Sequence, residues 1–151
     1  MAGFSRYGRL GLWLILALAL GLRVWTLGEK NLWLDESSSW EVATSSVTQL
    51  VTVTAEDPHP PLYFLVLKGW IAIFGDSVIA LRSLSVASGL LAVYLAFRLA
   101  AICLGRGASY AVLLWFSVSP NAIYFSQEAR VYALATAAVL GMCLAYRRWV
   151  D

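Results

Sequence analysis

The sequence predicts an all-α membrane protein with about four transmembrane helices and one or two further helices at the extracytoplasmic membrane surface. Of its 151 residues, 60% are hydrophobic and only 13% are charged, and the mean hydropathy is +0.72. Soluble domains typically contain about 45–50% apolar and about 25% charged residues. The composition therefore excludes an ordinary soluble domain, and we expect membrane lipids rather than nucleic acid as the surroundings of this chain.

Four apolar runs are long enough to cross the hydrocarbon core, which requires roughly 20 residues. These runs cover residues 10–27, 78–104, 108–125 and 131–149. A fifth run, residues 62–74, has 13 residues and contains Lys68, so it suits an interfacial helix better than a span. The first run continues past Ala19 without a polar region, which favours an uncleaved span over a signal peptide.

The basic residues orient these spans. In a four-span arrangement three arginine pairs share the cytoplasmic side, as the positive-inside rule requires. The pairs are Arg6 and Arg9, Arg98 and Arg106, and Arg147 and Arg148. The N-terminus is then cytoplasmic, and the loop 28–77 lies on the same extracytoplasmic side as residues 119–130. A fifth span at 62–74 would move the last two arginine pairs outside. We therefore predict one module, residues 1–151, with four spans.

The acidic pair Asp35-Glu36 directly follows the first apolar run. Ionisable groups clustered at a membrane surface are site candidates by default in a chain this apolar. A carboxylate at the rim of a membrane cavity is well placed as a general base, because partial desolvation of a carboxyl group raises its pKa toward neutrality. The alternative is structural, with Asp35 or Ser37 capping a helix through residues 40–43.

No cofactor is predicted from this pattern. Two adjacent carboxylates are too few to predict a metal site, so Asp35 and Glu36 would be ligands only if a divalent ion binds. The single histidine excludes a multi-histidine centre.

Cationic side chains on the same predicted face are candidates for binding a phosphate. His59 lies among Pro58, Pro60 and Pro61, and is either a hydrogen-bond donor to a lipid phosphate or a polar rim residue. Arg82, at the outer start of the second span, is a further candidate, and otherwise an interfacial anchor.

A second cluster of polar residues lies between the third and fourth spans. Arg130 there is a candidate because guanidinium forks match phosphate geometry. Alternatively, Glu128 and Arg130 only mark the water interface, with Tyr124 and Tyr132 in the aromatic belt.

Four motifs occur in order along the chain. They are Trp33-Leu34-Asp35-Glu36, then Asp57-Pro58-His59-Pro60-Pro61-Leu62-Tyr63, then Phe74-Gly75 followed by Arg82-Ser83, then Tyr124-Phe125-Ser126-Gln127-Glu128-Ala129-Arg130-Val131-Tyr132. This ordered set resembles the polyprenyl-phosphate-dependent membrane glycosyltransferases of the GT-C type. The likeness is to the protein O-mannosyltransferase and aminoarabinose transferase superfamily, especially its bacterial family-39-like members, and it extends over essentially the whole chain.

The resemblance implies transfer of a sugar from a polyprenyl-phosphate-linked donor to an acceptor hydroxyl, with inversion, at the extracytoplasmic face of the bacterial inner membrane. The sugar is left open, as is the acceptor, which is a protein, a lipid or a glycan of the cell envelope. By this resemblance Asp35 is the catalytic acid that deprotonates the acceptor, and Glu36 assists it structurally. His59, Arg130, Arg82 and Tyr132 are the expected binding residues for the lipid phosphate or the sugar.

Family members are usually several times longer, so we expect this chain to correspond to their N-terminal module. The second hypothesis is therefore a non-catalytic membrane module or remnant that keeps the fold and binds the lipid carrier. A small transporter is disfavoured, because no paired broken helices indicate a midplane site.

Overall fold

The computed structural model describes residues 6–55 and 60–150, and all regular structure within these ranges is α-helical. The helices are α1 (Arg6–Val24), α2 (Leu34–Thr44), α3 (Val47–Ala55), α4 (Pro61–Phe74), α5 (Val78–Cys103), α6 (Arg106–Val118), α7 (Pro120–Ser126) and α8 (Tyr132–Val150). This confirms the all-α prediction. Within the described ranges, α5 alone is both long and apolar enough to cross a membrane. The other three spans remain predictions.

Helix α5 is the central element of the helical bundle. The residue before it, Ser77, caps its first turn, because the Ser77 hydroxyl accepts the Ala80 N–H at 3.2 Å. Small buried residues on α8, Ala133 and Ala137, allow that helix to pack closely against α5. Farther along, α5 contributes Val93 and Phe97 to a buried cluster with Leu113 of α6, on which Leu12, Ile15 and Leu16 of α1 also pack.

The predicted third span, residues 108–125, is divided into α6 and α7. Pro120 is the first residue of α7 and Ser119 before it is extended, with φ −59° and ψ 122°. Proline lacks an N–H and disfavours the helical conformation of its predecessor, so the last carbonyls of α6 lose their intrahelical partners. The first helix also differs from its prediction, because α1 ends at Val24, three residues before the end of the apolar run.

Helices α2, α3 and α4 form a separate lobe against the start of α5. A buried hydrophobic cluster joins this lobe to α5 and to the segment before α8, and it consists of Ala43, Leu50, Tyr63, Phe64, Leu67, Leu81, Leu84 and Ala129. Lys68 of α4 donates to the carbonyl oxygens of Ala43 at 3.2 Å and Ser45 at 2.6 Å, and thereby caps the end of α2. This packing places the first turn of α2, which carries Asp35 and Glu36, in contact with α5 and with the segment before α8.

Candidate functional site

Glu36 is fully buried and joins three parts of the chain. Its Oε1 accepts from Arg82 Nε at 2.9 Å and from the Ala129 N–H at 2.8 Å. Its Oε2 accepts from Arg82 Nη2 at 2.7 Å and from the Trp33 N–H at 3.4 Å, so α2, α5 and the segment before α8 meet at one carboxylate. Burial alone raises the pKa of Glu36, but Arg82 and the two N–H groups outweigh burial and hold this pKa below its ordinary value.

Arg82 also holds the turn that leads from α1 to α2. Its Nη1 donates to the carbonyl oxygens of Leu27 at 2.8 Å and Lys30 at 3.0 Å, and its Nη2 donates to that of Asn31 at 3.3 Å. Together with the two bonds to Glu36, these contacts use all five guanidinium N–H groups. In this conformation Arg82 has no donor left for a phosphate, so the geometry favours a positioning role for it.

Asp35 lies one residue earlier in α2 and faces different surroundings. Its side chain is 43% exposed, and its Oδ2 lies 3.5 Å from Arg130 Nη2. Arg130 Nη1 also donates to the Asp35 carbonyl oxygen at 3.3 Å, and its guanidinium carbon lies 5.7 Å from the centre of the Tyr132 ring. Burial lowers the pKa of Arg130, but Tyr132 and Asp35 outweigh it, so the guanidinium remains charged.

Among the residues that the structure describes, two buried donors near Asp35 lack partners. Arg130 Nε and the hydroxyl of Tyr63 make no hydrogen bond within residues 6–55 and 60–150, although Tyr63 is only 2% exposed. The nearby Ser85 hydroxyl donates to the Arg130 carbonyl oxygen instead, at 3.4 Å. Burial is the main cause that raises the pKa of Tyr63, so its hydroxyl keeps its proton and can donate. Unpartnered buried donors are costly, and this pair is available to an anionic ligand.

A cleft of about 290 Å³ lies on the Glu36 side of the same region. It is lined by Thr26, Leu27, Lys30, Asn31, Trp33, Glu36, Arg82, Tyr124, Gln127 and Glu128. Gln127 fixes this cleft to the end of α1, because its Nε2 donates to the carbonyl oxygens of Leu22, Arg23 and Trp25 at 3.3, 3.2 and 2.8 Å.

Arg23 is a buried charge that the sequence analysis did not single out. It is 0% exposed, and its Nε donates to the Ser126 hydroxyl at 3.2 Å. Its Nη1 donates to the carbonyl oxygens of Ala19 and Ser117, both at 3.1 Å, and its Nη2 to that of Phe116 at 3.2 Å. Arg23 therefore satisfies the carbonyls that the break between α6 and α7 frees. The available signal was an arginine inside an apolar run, which is costly in a membrane and marks a partner or a function.

A close helix contact supports Arg23. Gly89 of α5 lies against Ser126, and a Cβ at this position would come within 2.9 Å of Ser126 Cβ and 3.4 Å of Arg23 Nε. Only a residue without a side chain leaves room for this hydrogen bond.

The structure thus brings together Asp35, Glu36, Arg82, Arg130 and Tyr132, although the first and last of these are 97 positions apart in the sequence. His59 lies outside the described residues. Within residues 6–55 and 60–150, no group of three or more His, Cys, Asp or Glu side chains is arranged to hold a metal ion. Glu36, one of the two conditional metal ligands, already has both oxygens occupied by hydrogen bonds.

The fold and this charged site define an all-α membrane protein whose ionisable groups converge beside the start of its membrane-length helix. A family model described as dolichyl-phosphate-mannose-protein mannosyltransferase matches residues 58–151, more than half of the chain, and the chain belongs to this family. No curated protein and no solved structure gives a match. The family match confirms the resemblance and identifies the class as membrane-embedded glycosyltransferases of the GT-C type. Because the match begins at residue 58, it includes Arg82 and Arg130 but not Asp35 and Glu36.

Proposed function

We propose that the chain transfers a sugar from a polyprenyl-phosphate-linked donor to an acceptor hydroxyl at the extracytoplasmic face of the bacterial inner membrane, with Asp35 as the general base. The observation that carries this proposal is the Asp35–Arg130 pair. A half-exposed carboxylate lies 3.5 Å from a guanidinium that is 15% exposed and whose Nε has no hydrogen-bond partner in the described part of the chain. Glycosyl transfer from a phosphate requires both a base and a group that stabilises the leaving phosphate.

In the proposed reaction the acceptor oxygen attacks C1 of the sugar while its proton passes to Asp35. The bond between C1 and the phosphate oxygen breaks, and its electron pair leaves with the polyprenyl phosphate. Attack from the face opposite the phosphate inverts the configuration at C1. Arg130 stabilises the charge that develops on the departing phosphate oxygen.

The ion pair and the reaction are compatible because the contact between Asp35 and Arg130 is loose. A phosphate bound to Arg130 would replace Asp35 as its partner and would use Arg130 Nε and the Tyr63 hydroxyl, which have no partner among the described residues, as further donors. Asp35, released from Arg130, would then be free to accept the proton. Glu36 and Arg82 position the first turn of α2, and Tyr132 supports the Arg130 side chain. We propose His59 as an additional donor to the phosphate.

The test is transfer of a radiolabelled sugar from a polyprenyl-phosphate donor by the full-length protein in membrane vesicles. Asp35→Asn should lower the rate by about 10²–10⁴-fold, the contribution typical of a general base, while membrane insertion stays normal. Glu41→Gln, an exposed acid of the same helix, is the matched control and should leave the rate unchanged. Near-normal transfer by Asp35→Asn would overturn the assignment. If the wild type itself binds the donor without any turnover, the non-catalytic module is the better description.

A further inference from the structure

Arg98 is a cation on an open face of the membrane-length helix α5. It shares this face with Leu91, Tyr94 and Ile102, at the spacing of successive helical turns. Leu91 is 49% exposed and Ile102 is 38% exposed, so the described part of the chain leaves this face open on both sides of Arg98. Because α5 is long and apolar enough to cross a membrane, we expect lipid rather than water along this face.

The guanidinium of Arg98 is held against the preceding turn of α5. Its Nη1 donates to the Tyr94 hydroxyl at 2.7 Å, and its guanidinium carbon lies 5.7 Å from the centre of the Tyr94 ring. Arg98 itself lies five residues before the end of α5 at Cys103, about 7.5 Å along the helix axis. Long basic side chains near a membrane surface usually extend toward water, whereas the contact with Tyr94 keeps this charge within the last turns of the helix.

Arg98 has no carboxylate partner in the part of the chain that the structure describes. The acidic residues within 6–55 and 60–150 all belong to the segments around the opposite end of α5. They are Glu29, Asp35, Glu36, Glu41, Asp76 and Glu128. Within the same ranges Arg98 donates one hydrogen bond, to Tyr94, so four of its five N–H groups remain for a ligand. A cation in an apolar helix is costly unless it is paired, which favours an anionic partner here.

Arg148 supplies a second cation at the same end of the bundle. Helices α5 and α8 run side by side in one direction, because Ser85 donates to the Arg130 carbonyl oxygen at their beginnings and Leu95 faces Gly141 farther along. Arg148 follows Gly141 by seven residues and therefore lies on the same face of α8, beside the last turns of α5.

We propose that Arg98, together with Arg148, binds the headgroup phosphate of an anionic phospholipid at the end of α5 that the sequence predicts to be cytoplasmic. Guanidinium forks match phosphate oxygens, and basic sites between membrane helices bind anionic lipid headgroups. The acyl chains of the same lipid cover the exposed Leu91 side of the face. An acidic protein fits this surface less well, because Arg98 lies between two exposed apolar side chains of a membrane-length helix.

This lipid site is separate from the candidate functional site. Arg82 and Arg98 are 16 positions apart in α5, which corresponds to about 24 Å along its axis. The inference therefore does not depend on the proposed glycosyl transfer, and the two can fail independently.

Native mass spectrometry of the full-length protein in detergent micelles tests the inference, with phosphatidylglycerol and phosphatidylcholine as probes. The wild type should bind the anionic phosphatidylglycerol at least about tenfold more tightly than the zwitterionic phosphatidylcholine. Arg98→Gln should weaken phosphatidylglycerol binding by about tenfold, as expected for lost charge-assisted hydrogen bonds, and should leave phosphatidylcholine binding unchanged. Lys30→Gln, which removes an exposed cation at the opposite end of the bundle, is the matched control and should change neither affinity.

Two further measurements make the result decisive. Arg98→Lys keeps the charge and should retain most of the preference for phosphatidylglycerol, and circular dichroism checks that each variant keeps its helical content. Undecaprenyl phosphate, added at equal concentration, should not displace phosphatidylglycerol from the wild type, because the proposed ligand is a membrane phospholipid rather than the lipid carrier of a sugar. Equal binding of the two phospholipids by the wild type would overturn the inference. Displacement by undecaprenyl phosphate, or unchanged phosphatidylglycerol binding by folded Arg98→Gln, would overturn it as well.

Discussion

Breaking the buried ion pair between Glu36 and Arg82 should destabilise this protein more than breaking the ion pair between Asp35 and Arg130. Glu36 is 0% exposed and Arg82 is 6% exposed, and four hydrogen bonds end on the carboxylate. Replacing either residue by methionine leaves the other charge buried without its partner, which costs about 3–5 kcal/mol. The Asp35–Arg130 pair is more exposed and looser, so Asp35→Asn should cost only about 0–1 kcal/mol.

A double-mutant cycle measures this difference. The double variant Glu36→Met, Arg82→Met leaves neither charge, but it still loses five contacts to the backbone, three made by Arg82 and two made by Glu36, at about 1 kcal/mol each. We therefore expect a total of about 5 kcal/mol for the double variant, against about 6–10 kcal/mol for the sum of the single variants. The free energy of unfolding is measured in mixed micelles by titration with sodium dodecyl sulfate, followed by circular dichroism. This reasoning would be refuted if the losses of unfolding free energy in the two single variants added up to the loss in the double variant. It would also be refuted if Asp35→Asn were as unstable as Glu36→Met.

Acid and helix packing provide two other tests. Because the pKa of Glu36 in the folded protein is below its ordinary value of 4.5, its contribution to stability is complete above that value and is lost as the pH falls through the folded pKa. The unfolding free energy of the wild type should therefore fall more steeply below about pH 4.5 than that of Glu36→Gln. If the two proteins showed the same dependence of unfolding free energy on pH, Glu36 would not be the source of the acid sensitivity. Gly89→Ala should destabilise by about 1–3 kcal/mol because its Cβ crowds Ser126 and Arg23, measured by the same unfolding titration. Gly21 of α1 is the control, because a Cβ at this position comes within 4 Å of no described atom beyond its chain neighbours and its own helix backbone, so Gly21→Ala should be neutral or stabilising. Equal losses of unfolding free energy for the two variants would exclude crowding as the cause.

Hydropathy predicted the fold class and the central helix well. The apolar run 78–104 corresponds to α5, Val78–Cys103, because its length and composition favour one long helix that can cross a membrane. The division of residues 108–125 was not predicted, although Pro120 was visible in the sequence. Averaged hydropathy measures the transfer of side chains and contains no information on which carbonyls lose their partners.

The candidate site was predicted in composition but not in connectivity. The sequence indicated that Asp35, Glu36, Arg82 and Arg130 share one face, yet it could not assign the pairs. Neighbouring residues in a helix point about 100° apart, so Glu36 meets Arg82 while Asp35 meets Arg130. Such contacts join residues 46 and 95 positions apart and depend on how α2 packs against α5. Glu128 was interpreted only as an interface residue because the cleft that it lines forms from three separate segments.

The contact between Arg23 and the break between α6 and α7 makes the residues at positions 23 and 120 depend on each other, although they are far apart in the chain. Pro120 leaves the Phe116 and Ser117 carbonyls without helical partners, so it is compatible with a stable fold only while another helix supplies donors for them. Arg23, in turn, would be destabilising in an apolar helix if it had no such acceptors. Replacing only Arg23 or only Pro120 is therefore destabilising. Replacing both residues removes the arginine from the apolar helix α1 and lets α6 and α7 join into one helix. Relatives of this chain should accordingly keep or replace the arginine and the proline together, which makes their joint occurrence an evolutionary signature of this helix break.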